Sequence, residues 1–211
     1  MEAGAAIREQ RPELRERIID ATVRVVRERG MARTRTSTIA SEAGCAEGSI
    51  YRYFSGKAEL LLEAVRSRLA ASTAVMVRLP GRAGTATVRT NLLDVVRFAL
   101  SSCREVVPLA AGVFADSELL AEQRHLFIAG DRGLLSGAEA LAAYLRAEQK
   151  LGRVQAAADA DLMAQLLVNG CRGEGFLGVL LDRESSEAER ERYACALVDT
   201  VLGPAAPGEL R

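Results

Sequence analysis

The chain has 211 residues, 49% of them hydrophobic and 27% charged, with 28 basic and 28 acidic side chains, so it can bury a core and carries no net charge as a whole. That balance excludes a polycation; affinity for nucleic acid has to come from a local patch. No stretch approaches the roughly eighteen uncharged apolar residues of a membrane span, and MEAGAAIREQRPE lacks the apolar segment of a signal peptide.

Residues 1–11 read as a disordered arm, with Arg8 and Arg11 either solvated or touching DNA backbone. Pro12 suits the first turn of a helix. From Glu13 to Arg29, Leu14, Ile18, Ala21, Val25 and Val26 fall on one amphipathic stripe, and Gly30 ends it. Thr36 to Lys57 then reads as two short helices joined by a tight turn. Ile39, Ala40 and Ala43 put small or apolar groups on one face of the first. Gly44 follows where a helix C-terminus favours a left-handed residue. The second helix is predicted from Glu47 to about Tyr53, with Ile50 and Phe54 pointing inward.

Two helices around a short turn containing Gly make a helix-turn-helix, whose second helix fits the DNA major groove. The outward residues suit that task. Ser49, Tyr51, Tyr53 and Lys57 are donors of the kind that bind phosphates, and Gly48 lets the backbone come close to DNA. Thr36 and Ser37 add hydroxyls at the start of the first helix. Between Arg33 and Lys57, four basic residues (Arg33, Arg35, Arg52, Lys57) face two acidic ones (Glu42, Glu47). That surplus is small for one chain and doubles in a dimer.

This stretch resembles the tetracycline-repressor-like (TetR) transcriptional regulators. Their pattern runs roughly T-x-x-x-I-A-x-x-A-G-V-S-x-G-x-(L/I)-Y-x-(H/Y)-F-x-x-K-x-x-L. The matches are Ile39, Ala40, Ala43, Gly44, Gly48, Ile50, Tyr51, Tyr53, Phe54, Lys57 and Leu60. Lys57 is one of only two lysines, with Lys150, in a chain otherwise biased to Arg. The chain departs from the pattern at Arg35, Cys45 and Ala46, with Cys45 for Val a tolerable small apolar swap. Arg35 stands at the Thr position. Ala46 replaces the Ser that would cap the second helix, a loss that costs about 0.5–2 kcal/mol in typical hosts. Glu47 adds a carboxylate that suits the helix dipole but repels phosphate, so it is expected to face a base edge such as the cytosine amino group. The resemblance implies a DNA-binding set of Arg35, Thr36, Ser37, Glu47, Gly48, Ser49, Tyr51, Arg52, Tyr53 and Lys57. It also implies a division into an arm and helix-turn-helix domain over 1–57 and an all-helical ligand-binding and dimerisation domain over 58–211.

Past Lys57 a helix is predicted from about Ala58 to Leu79; by resemblance it is the lever that ligand binding moves. Pro80, Gly81 and Gly84 break the chain. Val88 to Glu105 is amphipathic, and Pro108 is expected to start a short helix to Ala115. Asp116 or Ser117 caps a long segment to about Leu151, interrupted at Gly130, Gly133 and Gly137. Asp159 or Asp161 opens a helix to about Leu181. Ser186 with Glu189 is a capping-box signature for the last, ending near Leu202. The prediction is all-α.

Leu162, Leu166, Gly170, Gly173, Leu177 and Leu180 share one side of the penultimate helix, and Tyr193, Leu197 and Val201 lie on the last. Two such helices per subunit make a four-helix dimer seam, as they do in the family; the alternative is that they are intramolecular core. Phe98, Cys103, Phe114, His125, Phe127, Tyr144, Met163, Asn169 and Phe176 are candidates to line a pocket for a small hydrophobic effector, or else are plain core. His125 is the sole histidine. The four cysteines, Cys45, Cys103, Cys171 and Cys195, show no metal spacing; they read as buried hydrophobes or, less simply, as redox-sensing thiols. No cofactor, metal site or catalytic constellation is indicated. The function expected by resemblance is a cytoplasmic, ligand-responsive DNA-binding repressor, a homodimer on a palindromic operator. A helical interaction module without specific DNA binding, or an activator, is the competing reading.

Overall fold

The computed structural model describes the backbone of residues 2–128 and 133–203, and the side chains of residues 13–71, 73–125 and 136–203. Among these, every regular element is helical: α1 (Glu2–Arg29), α2 (Thr36–Ala43), α3 (Glu47–Ile50), α4 (Lys57–Arg78), a 3-10 turn (Leu79–Arg82), α5 (Val88–Phe114), α6 (Ser117–Ile128), α7 (Gly133–Lys150), α8 (Ala160–Leu180) and α9 (Glu187–Leu202). No single helix among the described residues is long and apolar enough to cross a membrane.

The chain forms two compact units, Met1–Arg68 with Pro108–Asp131, and Leu69–Val107 with Arg132–Arg211. Two of the three divisions fall inside α4 and α5, the third follows Asp131, and the Pro80–Gly84 break lies within the second unit. Pro108 does not start a helix as expected. It sits inside α5, although it lacks an N–H and its ring crowds the carbonyl four residues back. The helix nevertheless continues into the first unit, where Leu109 and Val113 are buried and Gly112 packs tightly on Met31.

In the first unit, the α1 stripe is buried as its spacing predicts, at Ile18, Ala21, Val25 and Val26. It packs against α2, which buries Ile39, Ala40 and Ala43 and in turn meets α3; Ile50, Phe54, Leu60, Leu61 and Ala64 are buried as well. The helix starts at Glu2 rather than at Pro12: Ala3, Ala5, Ala6, Glu9 and Gln10 are good helix formers, and local propensity carries the helix through the expected arm. Gly30 closes α1 with φ 75°, its N–H bonding the Val26 carbonyl at 2.9 Å.

In the second unit one core joins α5, α7, α8 and α9 around Leu92, Val96, Leu141, Tyr144, Leu145, Leu167 and Val198. The predicted caps are present. Asp159 accepts from the Asp161 and Leu162 N–H groups at 3.0 and 3.1 Å, and Ser186 and Glu189 form the reciprocal capping box. Gly137 does not break α7. A side chain there would sit 2.8 Å from the Met76 sulfur and 3.1 Å from a Thr73 methyl, so the glycine permits a close crossing with α4.

Candidate nucleic-acid interface

The helix-turn-helix is held from behind by α1. At the end of α2, Gly44 takes φ 65°, and the Cys45 N–H bonds the Ala40 carbonyl at 3.0 Å. This left-handed cap turns the chain without a steric penalty. The Arg17 guanidinium donates to the Ala43 carbonyl at 2.6 Å, placing a cation at the negative end of the α2 dipole. Arg24 pairs with Glu42 at 2.7 Å. Arg15 lies 5.5 Å above the Phe54 ring and bonds Glu63 at 2.6 Å, tying α1 to α4.

The second helix is shorter than its sequence predicts. Helical backbone covers Glu47–Ile50, and Tyr51–Tyr53 forms a turn in which the Tyr53 and Phe54 N–H groups both bond the Ile50 carbonyl at 3.0 Å. The helix starts at Glu47 as predicted, although Ala46 at the N-cap offers no side-chain acceptor. The segment is short and anchored by Ile50 and Phe54, both essentially fully buried, so tertiary packing rather than helix length fixes its shape.

The candidate DNA-binding side chains gather around this turn. Arg35, Ser37, Glu47, Gly48, Tyr51 and Arg52 are exposed, and Thr36, Ser49, Tyr53 and Lys57 are half-buried. Arg33 is exposed on the loop before α2. Thr36 donates its hydroxyl to the Glu47 carboxylate at 2.5 Å and lies 3.5 Å from the Tyr51 hydroxyl. This link between α2 and α3 is invisible in the sequence, where Thr36 and Glu47 carry no spacing signal. The arrangement offers backbone and cationic donors for phosphate and one oriented carboxylate for a base edge.

The candidate pocket residues divide between the units. Cys103, Tyr144 and Met163 lie in the core of the second, with Phe98 half-buried there; Asn169 and Phe176 are exposed on α8. Phe114 and His125 are exposed in the first unit, and the Phe127 side chain lies outside the described residues. Tyr144 accepts from the Asn91 amide at 3.0 Å, and burial pushes its hydroxyl up to about 12. Burial likewise pushes the Cys103 and Cys171 thiols up to about 11 and about 12, which keeps both protonated and poorly nucleophilic. Cys45 and Cys195 are half-buried, and all four cysteines are free.

Of the candidate dimer residues, Leu162, Leu166, Gly173, Leu177 and Leu180 form an exposed stripe along α8. Phe176, proposed for the pocket, stands on the same side. Gly170, Tyr193, Leu197 and Val201 are half-buried. Tyr193 donates to the Gly170 carbonyl at 2.9 Å, and a side chain at Gly170 would meet Leu197 at 2.9 Å. These contacts join α8 to α9 within the chain.

The family model described as "Bacterial regulatory proteins, tetR family" matches residues 18–64, and "AefR-like transcriptional repressor, C-terminal domain" matches residues 92–204. The chain is 36% identical over 63 residues to the fatty acid metabolism regulator protein of Bacillus subtilis (strain 168); the match spans 30% of this chain and 32% of that relative. Among solved structures, a TetR-family transcriptional regulator of Mesorhizobium loti superposes with a TM-score of 0.75 at 19% identity, covering 90% of this chain and 96% of that one. The regulator FadR of Bacillus subtilis in complex with stearoyl-CoA gives 0.68 at 21% identity, covering 89% and 97%. A regulator of Saccharomonospora viridis in complex with choline gives 0.70 at 25% identity, covering 89% and 96%.

Proposed function

This chain belongs to the TetR family of bacterial regulatory proteins, DNA-binding transcription regulators rather than enzymes, and from that premise we propose that it is a homodimeric repressor released from a palindromic operator by a small apolar ligand. Residues 1–57 read the DNA through Arg35, Thr36, Ser37, Glu47, Gly48, Ser49, Tyr51, Arg52, Tyr53 and Lys57. Residues 58–211 dimerise and bind the ligand.

The observation that carries the dimer is the α8 stripe. Leu162, Leu166, Phe176, Leu177 and Leu180 are 45–63% exposed, on a helix whose opposite face fills the core. A row of large apolar side chains left to water marks an association surface. Pairing α8 and α9 with their copies forms a four-helix seam, with Gly173 allowing close approach at its centre.

Release follows from population shift. The ligand favours a conformation whose recognition helices do not fit the operator, and a coupling of about 1–3 kcal/mol weakens binding about 5–150-fold. Because α4 and α5 each belong to both compact units, they are two of the three covalent routes for this coupling. That FadR was crystallised with stearoyl-CoA makes this thioester the first probe for an apolar effector. The test is fluorescence anisotropy of a labelled operator duplex, with binding of the probe established separately by its effect on Tm. Bound stearoyl-CoA is expected to lower operator affinity within that range. A probe that binds to saturation and leaves the affinity unchanged contradicts release by it.

A further inference from the structure

On the DNA-facing side of the helix-turn-helix, the one carboxylate that stands among the donors is not a free surface group. Glu47 is exposed, yet its Oε1 accepts the Thr36 hydroxyl at 2.5 Å across the turn. Thr36 in turn lies 3.5 Å from the Tyr51 hydroxyl. The three side chains come from α2, α3 and the turn after it, so the hydrogen bond ties the carboxylate across the turn to α2. A carboxylate facing the phosphate backbone is repelled. Such a group is tolerated against DNA where it meets a hydrogen-bond donor.

The chemistry of the major groove narrows the choice. An ionised carboxylate only accepts hydrogen bonds. Guanine presents N7 and O6, both acceptors, and thymine presents O4 and a methyl group; both are rejected. Adenine places an N6 donor beside the N7 acceptor, so one side of the contact is unfavourable. Cytosine presents the N4 amino group alone. We propose that Glu47 is a specificity-determining residue that demands a C·G pair at one position of each operator half-site, and that Thr36 is its positioning residue. This rests on the DNA-binding reading above. It removes Thr36 from the phosphate-binding hydroxyls and assigns it to orienting the carboxylate.

The test is binding-site selection from random duplex DNA with the full chain, run in parallel for wild type, Glu47→Gln and Thr36→Val. The wild type is expected to recover a motif with C at one fixed position per half-site. Glu47→Gln, which can both donate and accept, is expected to lose that preference at least about tenfold, or to shift it toward A, while the other positions keep theirs. Thr36→Val, close in shape but without the donor, is expected to relax the same position and no other. The proposal is overturned if Glu47→Gln recovers the wild-type motif unchanged, or if it relaxes all positions equally, as a change in charge alone would. In both cases a clear wild-type motif leaves the DNA-binding reading standing. If the wild type recovers no motif, that reading fails and this inference with it. Because Gln preserves the size of Glu and the exposed site, loss of folding is separable: the helical circular dichroism of each variant is expected to match the wild type.

Discussion

Two glycines on opposite faces of α8, Gly173 and Gly175, have opposite meanings. At Gly175 an added Cβ would lie 2.5 Å from the Cys103 Cβ, a main-chain-proximal atom that cannot rotate away. At Gly173 nothing stands within 4 Å. Gly175→Ala is therefore expected to force α5 and α8 apart and to cost about 1–3 kcal/mol of stability, seen as a lowered denaturant midpoint. In a Leu166→Glu background, with the α8 seam opened, Gly173→Ala is expected to leave the folded chain as stable as before or slightly more so, since Ala is the better helix former by about 1 kcal/mol. A similar loss in both variants would contradict the packing described. Neither role is legible from sequence: Gly173 is read there only as a small residue on the seam side of the helix and Gly175 carries no signal, and the difference lies in which neighbour the fold brings to each. The same holds for Thr36 and Glu47, whose contact depends on the turn geometry set by Gly44. What the sequence does carry at this scale is local chemistry. The left-handed Gly44, the Asp159 cap and the Ser186–Glu189 box all depend on residues within a few positions of one another.

At the level of elements, α9 is fastened to α5 by charge at its surface. Arg97 donates to Glu191, and Arg89 donates to Asp199 at 2.7 and 3.0 Å. The Arg97 guanidinium holds the Glu191 carboxyl at about 2, well below its ordinary 4.5, and Arg89 lowers Asp199 in the same way. A carboxylate whose folded pKa is depressed stabilises the fold above its unfolded pKa, and that contribution disappears as the pH falls toward the folded value. The window for Glu191 thus runs from 4.5 down to about 2. The gap in Tm between wild type and Glu191→Gln is expected to be widest near neutral pH, to close across that window, and to shrink with added salt, because both partners are exposed. A gap independent of pH and salt would place the effect elsewhere. The α8 stripe gives a second element-scale expectation. Leu166→Glu, at a position half exposed in the single chain, is expected to convert a dimer to monomers in sedimentation equilibrium without loss of helical circular dichroism. A dimer that survives this change and the corresponding Leu180→Glu would remove α8 from the seam. Helix periodicity located this stripe and the α1 stripe in advance. It failed at Pro108, because a proline's usual role as a helix boundary was overruled by packing on both sides of it, at Cys103 in the second unit and Leu109 in the first.

For the whole molecule, a chain with 28 basic and 28 acidic residues cannot hold DNA by its overall field. In the proposed function that affinity comes from Arg33, Arg35, Arg52 and Lys57 of the helix-turn-helix stretch, and two copies of it reinforce each other only if a dimer spaces them correctly. The family and the all-helical fold were legible because the helix-turn-helix pattern is dense and its offsets are fixed. The ligand site was not, because aromatic and polar residues of core, surface and pocket share the same helical periods; Phe176 and Tyr144 look alike in sequence, yet one is exposed on α8 and the other is fully buried. The measurement that tests the central claim most directly is the sequence recovered by the purified wild-type chain from random duplex DNA. The account predicts a palindrome of two half-sites centred about one helical turn apart, roughly 34 Å, bound with an affinity that falls steeply as salt rises. Recovery of no motif at low salt, with equal affinity for all duplexes, would contradict it.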